Sequence, residues 1–343
     1  MIMQQELACC PSVIRNAYQA NYDLVHEIAK AVSEKKIKNI TIIGRGSSDN
    51  AGLCFKYITE IIAGIPVGNA HPSVTTMYGA QVDYNNHLVI AISQSGRSID
   101  TLAVLDNAKR HNALTVAVTN DENSPLAKKA KYHLFLNAGE EIALGATKTF
   151  SAELTVLYML AAAISGKDAY MEEIKNMPEN VQEILDLIPS IRRLAYAIKD
   201  KKDFIVLSRG CMQGVGKELA LKFNQLCYCF CQFYSITDFM HGPIAMLDEG
   251  VNVILLAPHG ECADNYLDIS GRTNIVGANL YVLSDTQEVL NYAEESVQMP
   301  VADFLTSTFT YSVAVHLLSM FVATEKGIDP DNPRNLEKVI ITK

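Results

Sequence analysis

Short runs of five or six apolar residues, rich in Ile, Val and Leu, recur along the chain and alternate with longer amphipathic stretches. A run that is apolar throughout suits a strand buried on both faces, as in a parallel sheet covered by helices. Residues 99–112 carry the complementary signal, with Leu102, Val104, Leu105 and Ala108 at helical spacing. Residues 12–35 read as a leading helix, and the polar stretch 165–185 reads as helices between domains. The most apolar stretch, 154–164, falls short of the roughly 20 residues that a spanning helix needs, so no membrane segment is expected. The N-terminus, MIMQQELACCPSV, lacks a basic region followed by an apolar one. A cytoplasmic location is therefore expected rather than secretion.

The pattern occurs twice. NITIIGRG (39–46) answers to DFIVLSRG (203–210), LVIAISQSG (88–96) to VNVILLAPHG (251–260), and ALTVAVTND (113–121) to ANLYVLSDT (278–286). Each is a strand-like run closing on a turn, and the near-constant offset marks one α/β unit present in two copies. The predicted fold is α/β: two tandem, doubly wound parallel-sheet subdomains with flanking helices. The expected boundaries are 1–36 for an N-terminal helical segment, 37–165 for the first subdomain, 166–198 for a helical linker, 199–326 for the second subdomain and 327–343 for a tail.

Composition narrows the function classes. With 343 residues, 49% hydrophobic and 20% charged, the chain has ample material for a large core. A net charge of −9 is poor footing for nucleic acid, whose phosphates demand clustered Lys and Arg. A few local donors can still hold a small anion. The eight cysteines show no paired framework. Cys227, Cys229 and Cys231 alternate, which in an extended segment places all three on one face. Without Cys-x-x-Cys spacing or nearby His they read as small buried hydrophobes rather than a metal site.

Candidate chemistry lies where strands end. In open parallel sheets, ligands bind beyond the carboxyl ends of the strands, near helix N-termini. There the first copy carries Gly44-Arg45-Gly46-Ser47-Ser48-Asp49 and Ser93-Gln94-Ser95-Gly96-Arg97-Ser98. Backbone N–H groups, hydroxyls and a helix dipole together suit a phosphate dianion. Ser98 also reads as a helix cap and Gly46 as a turn residue. In the second copy Ala257-Pro258-His259-Gly260 replaces the Ser-Gln-Ser-Gly turn, so only the first copy keeps the phosphate cradle, one ligand site per chain.

SQSGRSIDT (93–101), NAGEEIALGATKTF (137–150), KELALKFNQL (217–226), FMHGPIAMLDEG (239–250) and DPDNPRNLEKV (329–339) resemble the sugar isomerase (SIS) domains. The resemblance is strongest to the isomerase half of the glutamine–fructose-6-phosphate aminotransferases, the glucosamine-6-phosphate synthases, and runs in order from about residue 37 to the end. The synthases carry a glutaminase domain that this sequence does not show, so a stand-alone enzyme of sugar 6-phosphates is expected. The resemblance implies a phosphosugar isomerase or aminosugar-phosphate deaminase working on glucosamine 6-phosphate or fructose 6-phosphate. A deglycase of fructosamine 6-phosphates and a non-catalytic sugar-phosphate sensor are the alternatives. It implies no metal or organic cofactor, since enediol and imine routes need only acid–base groups.

Carried over by position, the phosphate contacts of the family fall on Ser93, Gln94, Ser95 and Ser98, and its first turn on Gly46, Ser47 and Ser48. Sugar contacts fall on Leu144, through the backbone, and on Ala146, where the synthases have serine. Lys222 matches a catalytic lysine, but the position of the proton-shuttling glutamate holds Gln225, and a carboxamide has no useful basicity. Glu218, one turn before Lys222, matches another glutamate of the family and shares that face. His241 matches a ring-opening histidine that serves the neighbouring subunit's site, which implies a homodimer. Lys338 in the tail matches the lysine that forms an imine with the open ketose.

Overall fold

The computed structural model describes residues 1–338. The chain divides into two compact units. The first comprises Cys10–Glu141, Lys148–Pro178 and the tail from Glu337; the second comprises Met1–Cys9, Ile142–Thr147 and Glu179–Leu336.

Each unit is built on one five-stranded parallel sheet. In the first, β1 (Asn39–Ile43), β2 (Val67–Asn69), β3 (His87–Ile92), β4 (Leu114–Thr119) and β5 (Tyr132–Phe135) lie in the order β2-β1-β3-β4-β5. In the second, β6 (Asp203–Ser208), β7 (Phe230–Ser235), β8 (Asn252–Ala257), β9 (Asn279–Ser284) and β10 (Glu295–Gln298) lie in the order β10-β9-β8-β6-β7. The two orders are the same topology, so the internal repeat seen in sequence is a repeat of structure. Registers such as Ile42 opposite Ile90, and Ile90 opposite Val116, keep β-branched side chains stacked across the central strands. β4 and β8 are buried at every position, as unbroken apolar runs require. Each fully buried Val, Leu or Ile contributes about 1.5–3 kcal/mol.

A long helix forms the heart of each unit. Lys148–Ser165 packs against Cys10–Glu34 and Ser47–Ala63 in the first, and Thr306–Glu325 against Ile188–Ile198 and Gln213–Leu226 in the second. A helix that is apolar on every side has to be enclosed on every side. Thr306–Glu325 corrects the expectation that no segment has the length and composition to cross a bilayer, for this helix has both. Its whole apolar window is buried inside the protein, so it serves as a core helix. The hydroxyls of Thr308, Thr310, Ser312 and Ser319 bond back to carbonyls three or four residues earlier, which satisfies them without water.

The three alternating cysteines are buried, but not on one extended face. Cys227 caps the helix Gln213–Leu226 and Tyr228 has φ of 53°, so only Cys231 belongs to β7. The left-handed residue between helix and strand breaks the alternation. At the start of the second unit, the amides of Ile2 and Met3 donate to the carboxylate of Asp331 at 2.8 and 2.7 Å. This anchors the first turn of Ile2–Ala8 to the residues that follow the last helix.

Candidate functional site

The strand order of the first unit has its reversal between β1 and β3, the place where open α/β sheets hold ligands. The loops 44–49 and 93–98 leave those two strands. A Cβ on Gly44 would lie 2.9 Å from backbone atoms of Ser48 and Asp49, so the first turn closes only around glycine. Gly46, with φ of 56°, then starts the helix Ser47–Ala63. Ser47 is half-buried at its first position. Ser48 is buried and donates its hydroxyl proton to Glu153 Oε1 at 2.7 Å, so it ties two helices together and has no proton left for an anion.

The second loop is pinned by its backbone, while Gln94, Ser95 and Arg97 present their side chains to a cleft. Ser93 N–H donates to the Val118 carbonyl at 3.0 Å, Gly96 N–H donates to the Ser93 carbonyl at 2.9 Å, and the Gln94 carbonyl accepts from Asn120 N–H at 2.9 Å. Among the described residues, nothing accepts the hydroxyl protons of Ser93 or Ser95 or the carboxamide protons of Gln94. Ser98 caps the helix Ile99–Arg110, accepting from the amide and hydroxyl of Thr101 at 3.4 and 3.0 Å. Arg97 reaches Asp121 at 3.1 Å, and the Asn123 amide, followed by Arg97, holds the Asp121 carboxyl below its ordinary pKa.

Gln94, Ser95 and Arg97 form one wall of a cleft of about 510 Å³, which Asn137, Glu141 and Lys338 also line. Lys338 Nζ stands 3.5 Å from Glu141 Oε2. Glu141 is buried and is itself held by the amide and hydroxyl of Thr149 at 3.1 and 2.7 Å. The fold thus brings an open set of anion donors and a carboxylate-paired lysine into one cleft of one unit. Glu141 was within reach of sequence reasoning, in the NAGEEIALG run, but a buried glutamate has no signal there.

The remaining candidates lie in the second unit. Glu218 and Lys222 share a helix face, as their spacing requires, with Nζ 3.1 Å from Glu218 Oε1. His316 Nε2 bonds the same oxygen at 3.1 Å, and all three residues are fully buried. Glu218 is therefore enclosed between two partners rather than presented as an open base. Lys222 Nζ lies 3.9 Å from where a Cβ on Gly145 would be, directly under the backbone between half-buried Leu144 and Ala146. The Ile142 amide donates to Glu6 Oε1 at 2.6 Å, holding the other end of that segment. His316 lies in an apolar helix, where sequence offers no reason to expect a polar partner.

Gln225 does not join this triad. It lines a different cleft of the second unit, with Asn224, Tyr228 and Arg334, and its Oε1 is buried with no hydrogen-bond partner among the described residues. His241 is exposed at the C-cap of Ile236–Met240, followed by Gly242 at φ of 138°. In the second sheet, the turn that corresponds to the 93–98 loop places His259 Nδ1 2.6 Å from Asp285 Oδ2.

The SIS domain pattern matches residues 35–163 and 197–318, one match per sheet. A glutamine–fructose-6-phosphate aminotransferase of Thermococcus kodakarensis is 32% identical over 348 residues, covering 98% of this chain. The chain spans 57% of the length of that relative. The C-terminal domain of a glucosamine-fructose-6-phosphate aminotransferase from Francisella tularensis superposes with a TM-score of 0.89 at 27% identity, over 97% of this chain and 98% of that one. A glucosamine-6-phosphate deaminase from Thermotoga maritima shares the fold over the full length of both chains, with a TM-score of 0.76 at 23% identity.

Proposed function

The chain belongs to the SIS-domain family, and from that membership we propose that it is a phosphosugar isomerase of the aminosugar-phosphate deaminase type. The substrate in this reading is a hexose or aminohexose 6-phosphate, such as glucosamine 6-phosphate or fructose 6-phosphate, which it opens and interconverts between aldose and ketose. The supporting observation is the cleft of the first unit, where unspent donors of Gln94 and Ser95 line the same space as Lys338 and Glu141. A phosphate dianion takes up those donors without any further cation.

Lys338 then attacks the carbonyl carbon of the open sugar through Nζ, and loss of water gives an imine. Glu141 holds the amine in place and receives the proton that it must shed before attack. His241 is assigned the exchange of a proton between anomeric hydroxyl and ring oxygen, a task suited to imidazole near neutral pH. In this reading it serves the partner of a homodimer in the cytoplasm. Deamination of glucosamine 6-phosphate consumes one water and yields fructose 6-phosphate and ammonia.

Gln225 favours a second reading, a sugar-phosphate sensor without turnover, because an amide stands where the resemblance places the proton-transferring carboxylate. One experiment separates the two. Purified protein is incubated with glucosamine 6-phosphate, and fructose 6-phosphate and ammonia are followed by coupled assays. Equal yields of both establish the deaminase. Neither product, with binding shown by thermal shift, overturns it in favour of the sensor or of a deglycase of fructosamine 6-phosphates.

A further inference from the structure

Cys227, Cys229 and Cys231 surround the turn between the helix Gln213–Leu226 and β7, and one of them touches a lysine. Lys326, at the C-cap of Thr306–Glu325, places Nζ 3.0 Å from Cys229 Sγ and 3.2 Å from the carbonyl oxygen of Lys201. The same sulfur lies 3.6 Å from the carbonyl oxygens of Lys201 and Cys227. It is thus fixed from three sides, with the amine at contact distance. Burial pushes the thiols of Cys227 and Cys231 up, which keeps them protonated and poorly nucleophilic. Cys229, by contrast, has an amine within contact distance of its sulfur.

Cys229 is only 3% exposed, yet it forms part of the wall of the cleft of about 510 Å³ that Asn224, Tyr228 and Arg334 also line. That cleft is wide enough for a molecule as small as hydrogen peroxide to come up against the residue. The geometry points to a covalent cross-link between Cys229 and Lys326, formed when peroxide oxidises the thiol and reversed by thiol reductants.

The steps balance. The sulfur of Cys229 attacks one peroxide oxygen, the O–O bond breaks, and the departing hydroxide takes up the proton shed by the thiol and leaves as water. Sulfur is oxidised by two electrons to the sulfenic acid, and peroxide is reduced. The neutral amine of Lys326 then attacks sulfur, the S–O bond breaks, and a second water leaves. Thiol, amine and one peroxide give one S–N bond and two waters. The link would join the turn before β7 to the end of the last long helix, closing a loop of about a hundred residues whose ends already meet through the Lys326–Cys229 contact and a Cys227 Sγ–Ser319 carbonyl bond.

The test uses the full chain, reduced and then exposed to hydrogen peroxide, with remaining thiols blocked before digestion and mass spectrometry. The expected product is a peptide pair joining Cys229 and Lys326, lighter by two hydrogens than its separate parts and released by dithiothreitol. It should not form in urea, because proximity comes from the fold. In Lys326→Met the sulfenic acid has no amine to capture it, so dimedone labels Cys229 instead. Recovery of Cys229 as a free thiol while exposed Cys9 is oxidised overturns the proposal. So does a disulfide from Cys229 to Cys227 or Cys231, or a link that persists in Lys326→Met. No sugar phosphate enters the measurement, so its outcome is independent of the catalytic reading.

Discussion

A Cβ placed on Gly96 would stand 2.2 Å from Ser124 Oγ and 2.4 Å from Ser124 Cβ. Gly96 also has φ of 62°, so two independent constraints demand glycine at the centre of the Ser93–Ser98 loop. Ser124 cannot withdraw freely, because it caps Pro125–Lys129 through the Ala127 amide. Gly96→Ala is expected to cost about 2–4 kcal/mol in urea unfolding. It should also abolish binding of inorganic phosphate in calorimetric titration. Adding Ser124→Gly relieves the contact but not the dihedral, so the double variant should regain only part of the stability.

The triad of Lys222, Glu218 and His316 makes an energetic prediction. Removing one member of a buried ionic set takes its counterpart away from the others, whereas replacing the whole set with apolar groups of similar size does not. Glu218→Leu alone should destabilise by roughly 3–5 kcal/mol, and Glu218→Leu with Lys222→Met and His316→Leu should recover most of that loss. Unfolding midpoints of the wild type, the single variant and the triple variant decide it. If the triple variant is no more stable than the single one, the triad contributes packing that apolar side chains do not replace. The cost of keeping it in the core would then be structural rather than a mark of function.

These two clusters show what was legible beforehand. The repeat and the parallel sheets followed from apolar runs, because a strand buried on both faces has no polar side to disguise it. The position of the 93–98 loop at a strand end followed from residue types that suit an anion there. Burial of Ser48 against Glu153 did not follow, since a serine one residue into a helix looks the same whether it faces a ligand or a neighbouring helix. Thr306–Glu325 escaped notice as the longest apolar core helix because its hydroxyls dilute the pattern, and their local bonds to carbonyls are visible only in three dimensions. His316 and Glu141 were missed for the same reason: each matters through a partner on another element, Glu218 and Lys338, and spacing along one element cannot reveal it.

Acid sensitivity is expected from the first unit. Burial lowers the pKa of His133, against the smaller opposing effects of the Thr119 backbone and the Glu122 and Asp121 charges, and burial likewise lowers that of His87. A histidine with a depressed folded pKa takes up its proton more readily when unfolded. Stability is therefore highest above the unfolded value of about 6.5 and falls as pH drops through that value toward the folded one. Urea midpoints should decline between pH 7.5 and 5.5, before carboxylates titrate. His133→Gln should flatten that slope while keeping a donor for Thr119 Oγ1, which His133 Nε2 approaches at 2.8 Å. An unchanged slope would assign the acid sensitivity elsewhere.

Gln225 offers the sharpest test of the catalytic reading. Its carboxamide oxygen is buried without a partner among the described residues, so a carboxylate in its place would be partly desolvated. Desolvation raises a glutamate's pKa, toward the range in which a carboxylate both takes and returns a proton near neutral pH. Gln225→Glu should therefore raise aldose–ketose interconversion of fructose 6-phosphate by roughly 100-fold, the lower end of what a positioned base contributes. Incubation in deuterium oxide reads the step directly, as incorporation of deuterium at C1 or C2, and its rate should rise with pH along a limb above the usual glutamate range. His241→Ala in the same background should slow the cyclic sugar while sparing phosphate binding. A folded Gln225→Glu protein that binds fructose 6-phosphate and incorporates no deuterium would remove Gln225 from the proton-transfer path. The chemistry would then rest with Lys338 and Glu141 in the cleft of the first unit.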